Sequence, residues 1–325
     1  MSDSTTRRGL VLGAGGVLGA AWTIGALAAV EEKYGWDPRT ADVLIGTSAG
    51  SVLAAFLGCD VSVQSLLNHQ KGVVVEGDPA IDYDYDSDGG GALPPRPKLR
   101  IGSPRGVLSS ALHPRRTTPM MALSAVLPQG RGSLAPIGQV IDAVCPPGEW
   151  AGHPRTWIVA MDYDSGRRVV FGRDGAPRAG LSEAVMASCS IPGWYTPMRI
   201  DGRRYVDGGA CSPASLDLVS RLGLDEVVVL SPMTSLSYDR PSSMPAKLER
   251  RFRRLVTKRL IGEVKRVAAA GTKVTLLGPG AEDLAVIGAN LMDPRRREEV
   301  LETSLRTSAL ALQAGGSAAL LAEAG

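Results

Sequence analysis

Gly46-Thr47-Ser48-Ala49-Gly50 follows directly on the apolar run Asp42-Val43-Leu44-Ile45, and the helix-compatible stretch Ser51–Leu57 comes next. A strand running into a Gly-x-Ser-x-Gly turn lifts its serine hydroxyl clear of the sheet edge, which suits Ser48 to nucleophilic attack. Gly46 and Gly50 flank it because the turn is strained and the backbones on both sides pass close together. A serine nucleophile needs a proton acceptor, and the histidine supply is short. The three histidines are His69, His113 and His153, with none beyond residue 153. The Ser, acid, His order of α/β-hydrolases is therefore excluded. His69 and His113 have no paired acid or strand-end context, and His153 precedes a proline in a loop. Each is expected to be exposed or structural.

A carboxylate within hydrogen-bond reach can take the serine proton directly. The candidate is Asp207 in Arg204-Tyr205-Val206-Asp207-Gly208-Gly209, at a strand end where Gly208 and Gly209 allow close backbone approach. A turn-forming Asp-Gly is the ordinary alternative for such a pair. A second constellation lies upstream, in Gly13-Ala14-Gly15-Gly16-Val17-Leu18-Gly19. Glycine-rich backbone at a helix N-terminus aims free N–H groups at negative charge. A dinucleotide site would need an acidic residue at the end of the second strand. That strand ends in Gly46-Thr47-Ser48, so an oxyanion hole is the better reading.

The elements that position these residues read as a parallel α/β sheet with helical crossovers. Gly9–Leu12 and Asp42–Ile45 are strands, with a helix over Val17–Tyr34. Arg155–Asp162 and Arg168–Phe171 read as paired strands around Asp164-Ser165-Gly166. Leu181–Ser188 reads as a short helix, Arg204–Val206 as a strand end, and Glu226–Leu230 and Lys273–Leu277 as further buried strands. Arg295–Ala324 is Ala/Leu-rich and expected to pack on the sheet. Gly77–Pro119 has no periodicity and reads as a lid or irregular loop.

Composition narrows the class. At 325 residues, 44% hydrophobic and 21% charged, the chain can bury a full core. A net charge of +3 is too small to imply nucleic acid. Cys59, Cys145, Cys189 and Cys211 lack the spacing of metal sites or disulfide scaffolds, and read as reduced, mostly buried thiols. Met1–Arg8 is polar without an apolar run behind it, and no stretch of about 18 apolar residues could span a membrane. A cytoplasmic protein is the expectation.

The ordered set of glycine loop, Gly46-Thr47-Ser48-Ala49-Gly50 and Asp207-Gly208-Gly209 resembles the patatin-like phospholipase family. Ala187-Ser188-Cys189-Ser190-Ile191-Pro192-Gly193 resembles the family's Ser-x-Ala-x-Pro-type segment, and Asn290-Leu291-Met292-Asp293-Pro294 is similar to bacterial members. The resemblance covers about residues 9–215, with the lid unaligned. It implies an α/β three-layer fold in which helices flank a mainly parallel central sheet. One domain would span 1–325, with its core at about 9–215, a lid at about 77–119 and a helical extension at about 245–325. It implies a lipid or other acyl-ester substrate, hydrolysed without metal or cofactor by a serine–aspartate dyad. Carried over, Ser48 is the nucleophile, Asp207 the base, and the Gly15 and Gly16 amides the oxyanion donors. Gly13, Gly19, Gly46, Gly50, Gly208 and Gly209 are the motif glycines. Ala14 stands where the family often has glycine, and Leu18 where many members place Lys or Arg. A thioesterase or acyltransferase with the same dyad, a nucleotide-binding module, and a lipid-binding protein without turnover remain alternatives.

Asp88-Gly89-Gly90 repeats the Asp-Gly-Gly letters in an acidic loop and ranks below Asp207. Asp84–Gly89 mimics half a calcium loop, but its twelfth position is Pro95 rather than glutamate. Lys247–Ala270 is a basic helix candidate whose stripe of Leu248, Phe252, Leu255, Val256, Leu260, Val264 and Val267 is expected to pack on the sheet. Its solvated cations could attract an anionic membrane surface.

Overall fold

The computed structural model describes residues 6–81, 83, 93–98, 101–115, 117–236 and 244–315. Its centre is a run of parallel strands built from short apolar segments. They are β1 (Arg8–Leu12), β2 (Val43–Thr47), β3 (Thr156–Asp162), β7 (Glu226–Leu230) and β8 (Lys273–Leu277), in the order β3-β2-β1-β7-β8. Antiparallel β4 (Arg168–Phe171), β5 (Met198–Ile200) and β6 (Arg203–Asp207) extend the β3 side. The central strands are buried on both faces, as expected where helices cover a parallel sheet. Alternation along β1 shows the two layers. Leu10 and Leu12 enter one core, while Val11 enters the other with Val43, Ile45 and Val227.

The first face carries α1 (Gly16–Tyr34), α2 (Ala49–Gly58) and α7 (Leu181–Cys189). The second is covered by α8 (Met244–Ala269), which seats Val256, Leu260, Val264 and Val267 on the sheet. These four residues of the expected α8 stripe are thus buried, while Phe252 is half-buried and Leu255 is exposed; the Leu248 side chain lies outside the described residues. Its charges are not all solvated, however. Arg250, Arg253 and Glu263 are buried while Arg251, Lys258, Arg259 and Arg266 are exposed.

Two expectations need correcting. The segment 77–119 is not wholly irregular, because α4 (Pro104–Leu112) lies inside it. Ser103 caps that helix and Pro104 supplies its preset φ at the first position. A second capped helix, α5 (Pro119–Val126), follows. The C-terminal helix, α10 (Arg297–Gln313), packs chiefly on α1 rather than on the sheet, and Ser304 Oγ donates to the Trp22 carbonyl at 2.6 Å. The shorter α3 (Val63–Gln70), α6 (Ala135–Asp142) and α9 (Ala281–Ile287) complete the helices of the described residues. Asp88-Gly89-Gly90 and the calcium-like Asp84–Gly89 lie outside the described residues. No helix among the described residues is long and apolar enough to cross a membrane.

The cysteines are free thiols, three of them buried. Burial pushes the Cys59 thiol up to about 12, and Cys145 lies near it on the same cavity wall, a proximity the sequence spacing did not suggest.

Candidate active site

The C-terminal ends of β1, β2 and β6 meet at one place. β2 delivers Ser48, which caps α2 at φ 53° and ψ −126°. A positive φ at a non-glycine residue costs about 1–3 kcal/mol, so the surroundings must hold it. They do so through close packing and hydrogen bonds. A Cβ on Gly50 would run into the Leu12 carbonyl, so only glycine lets α2 start this close to β1. The Ser48 amide donates to Ser188 Oγ at 2.8 Å, and Ser188 Oγ donates to the Val159 carbonyl at 2.6 Å.

Asp207 ends β6, with its Cα opposite Ala160 of β3. Its amide donates to the Ser190 carbonyl at 3.0 Å, and its Oδ1 accepts from the Gly209 amide at 2.7 Å. Ser48 and Asp207 are both buried, at 4% and 7% exposure. The two side chains are close enough that Ser48 favours the charged form of the Asp207 carboxyl. Burial pushes the Asp207 carboxyl up to about 6, against the opposing pull of Ser48 and the Gly209 amide. The group is therefore a stronger base than a surface aspartate and still ionised at neutral pH.

The glycine loop joins β1 to α1 beside this pair. The amides of Gly13 and Ala14 are committed to the carbonyls of Leu230 and Pro213, each at 2.8 Å. Among the described residues the Gly15 and Gly16 amides make no such bond, and Gly16 opens α1, where helix geometry leaves N–H groups unpaired. Gly16 has φ +62°, and a Cβ there would sit 2.9 Å from Met292 Sδ and 3.0 Å from the Leu291 carbonyl. The loop is braced from behind by Pro232, which packs on Gly15 and Gly19. Pro232 is held in turn by buried Arg253 of α8, whose guanidinium donates to the Pro232 and Thr234 carbonyls and pairs with Glu249.

Two cavities converge on the serine. One is an apolar pocket of about 860 Å³ of atom-free space, its mouth included, running between α1, α2, α3 and α6. Ile24, Val52, Phe56, Leu66, Ile137 and Val140 line it. The other is an open cleft containing Asp207, Gly15, Trp194 and Phe252. Gly16, Ser48, Ile191 and Met292 belong to both, so the hydroxyl sits at their junction.

The family description Patatin-like phospholipase matches residues 10–98 and 149–219, which include the glycine loop, Ser48 and Asp207. The chain belongs to the patatin-like phospholipase family. Residues 99–148, between the matched segments, carry α4, α5 and α6. The chain is also similar in structure to two larger proteins. With VipD from Legionella pneumophila it shares 13% identity at a TM-score of 0.45, covering 95% of this chain and 67% of that one. With the type III effector protein ExoU it shares 16% identity at a TM-score of 0.37, covering 95% and 53%.

In this patatin-like chain the two departures from the family pattern are accommodated. Ala14 does not have positive φ, so its methyl meets no backbone penalty. Leu18 is fully buried, and its amide donates to the Leu291 carbonyl at 3.0 Å. The 290–294 stretch, noted in the sequence only for its familiarity, thus closes the glycine loop and puts Met292 at the cavity junction. The histidines fall as expected. His153 Nε2 donates to the Ala41 carbonyl at 2.6 Å, and exposed His113 contacts the Ser109 carbonyl at 3.2 Å. His69 is half-buried and lines the apolar cavity, but its Nε2 donates to the Ile81 carbonyl at 3.0 Å. Burial lowers its pKa, which leaves it neutral and structural.

Proposed function

We propose that the chain is a serine-dependent lipid acyl hydrolase of phospholipase A or esterase type, working through a Ser48–Asp207 dyad. The observation that carries this reading is the placing of two buried side chains, Ser48 and Asp207, side by side where the two cavities meet. Family membership supports lipid hydrolysis in the broad sense.

In the proposed reaction the acyl chain enters the apolar cavity and the alcohol portion of the ester lies in the cleft with Asp207. The Asp207 carboxylate accepts the Ser48 proton as Oγ attacks the ester carbonyl. The oxyanion is stabilised by the Gly15 and Gly16 amides, in a site where few waters compete with fixed donors. Protonated Asp207 then gives its proton to the departing alkoxide, leaving an acyl-serine. Water from the cleft attacks the acyl carbonyl as Asp207 takes its proton. The second oxyanion then collapses, the bond to Ser48 Oγ breaks, Asp207 returns the proton to Oγ, and the free fatty acid leaves.

The test is fatty-acid release from phosphatidylcholine vesicles and from a soluble aryl ester. Activity lost in Ser48→Ala and in Asp207→Asn, but kept in the triple His69, His113, His153→Ala variant, is the expected pattern. Full activity in Asp207→Asn overturns the dyad, and loss in the triple variant with its fold intact would restore a histidine base.

A further inference from the structure

A third cavity opens beyond the Asp207–Cys211 segment, between α4, the turn joining β3 to β4, and α8. Five guanidinium groups line it: Arg167 and Arg168 from the turn and β4, Arg203 from β6, and Arg259 and Arg266 from α8. Arg259 and Arg266 stand two helical turns apart on one face of α8. Neither Ser48 nor Asp207 lines this cavity, so it is separate from the ester site.

The two carboxylates at its wall are already engaged. Asp217 accepts both Arg168 nitrogens, at 2.7 and 2.6 Å. Glu263 is buried, its Oε1 and Oε2 accepting from Ser212 Oγ and the Leu216 amide at 3.1 Å each, with Arg259 at 3.7 Å. Arg203, 71% exposed, reaches Asp162 at 3.5 Å. Arg167 and Arg266 are exposed and form no ion pair among the described residues. Glu263 is thus turned into the protein and Asp217 is neutralised by its Arg168 pair, which leaves Arg167 and Arg266, among the described residues, as the unpaired cations at the cavity wall. Ser109, Thr117 and Thr118 add hydroxyls to the wall.

We propose that this cavity binds an anion bearing clustered phosphate groups. Planar guanidinium forks match phosphate oxygens in pairs, and several converging arginines favour a ligand with more than one phosphate charge. Such oxygens come from a free polyphosphate or from the phosphomonoester headgroup of a lipid. The site adjoins the base-bearing segment. Cys211 lines it, Thr118 Oγ1 donates to the Ala210 carbonyl at 3.2 Å, and Glu263 fixes the turn that follows.

The test uses the full chain as Ser48→Ala, so that no lipid is consumed. Inorganic tripolyphosphate is titrated by calorimetry, and sedimentation is measured with phosphatidylcholine vesicles with and without phosphatidate. The same titrations are run with Arg167→Ala/Arg266→Ala added and, as a control for the rest of α8, with Arg251→Ala/Lys258→Ala added. Saturable tripolyphosphate binding weakened about tenfold or more by the first pair but not the second supports a free-anion site. Binding confined to phosphatidate vesicles with the same dependence supports the lipid headgroup as the source. No saturable binding to either probe, or binding that only the second pair weakens, overturns the proposal.

Discussion

The Ser188 hydroxyl accepts the amide hydrogen of Ser48 at 2.8 Å while donating to the Val159 carbonyl at 2.6 Å. Ser188 is fully buried, so nothing else can replace it as acceptor for the strained elbow. Two residues later the Ser190 carbonyl accepts the Asp207 amide at 3.0 Å. One short segment thus ties both Ser48 and Asp207, the proposed dyad, to the end of α7.

Replacing Ser188 by alanine leaves a buried amide without acceptor, and stability is expected to fall by about 1–3 kcal/mol. The displaced elbow lowers kcat by about tenfold or more, with KM little changed, because the acyl cavity is untouched. Denaturant unfolding and ester kinetics on Ser188→Ala measure both.

Asp207 sets the pH dependence. As the base it must be ionised, so kcat/KM rises with pH through an apparent value of about 6. Its folded-state value lies above the ordinary 3.8, so the folded protein binds this proton more tightly than the unfolded chain does. The corresponding stability is fully present below 3.8 and is lost as pH rises through about 6. Asp207→Asn is therefore expected to be inactive yet to gain in Tm over the parent at pH 8, with the gain shrinking toward pH 4. Thermal scans across that range read the trend directly.

Acyl length follows from the apolar cavity. Val52 of α2 lies in its wall, and a tryptophan there occupies space the chain would fill. Each excluded methylene removes about 0.8 kcal/mol, so displacing two lowers kcat/KM about 15-fold. Val52→Trp should lose long-chain esters in this way while hydrolysing an acetyl ester near the parent rate.

Arg253 supports the glycine loop at a distance. Its guanidinium is buried against Glu249 and the Pro232 and Thr234 carbonyls. Arg253→Met leaves Glu249 with Arg250 as its partner but takes the donor from the buried Pro232 and Thr234 carbonyls and frees the loop behind Gly15, for an expected loss of about 1–3 kcal/mol. Chemical denaturation, with the kcat of the folded fraction, checks both effects.

The elbow was legible in the sequence because its requirement is local: a strand must turn sharply, and Gly46 and Gly50 permit it. Asp207 was legible through the strand before it and the shortage of histidines. The clamp by Ser188 and Ser190 was not, because those bonds depend on packing α7 against β3. Arg253 read as one more solvated cation in a basic helix, since nothing in that helix announces the carbonyls it meets on the 232–234 turn. The helices α4 and α5 did leave a signal. Ser103-Pro104 and Thr118-Pro119 each place a capping hydroxyl before a proline, which marks a helix start even where apolar periodicity is too short to register.

The central claim, that Asp207 activates Ser48, is tested most directly by the rate of fluorophosphonate labelling against pH, with the adduct mapped by peptide mass spectrometry. The expected result is a single adduct on Ser48, forming at a rate that climbs through pH about 6 and falls at least about 100-fold in Asp207→Asn. An adduct on another residue, or labelling of Ser48 in Asp207→Asn at the parent rate, would contradict it.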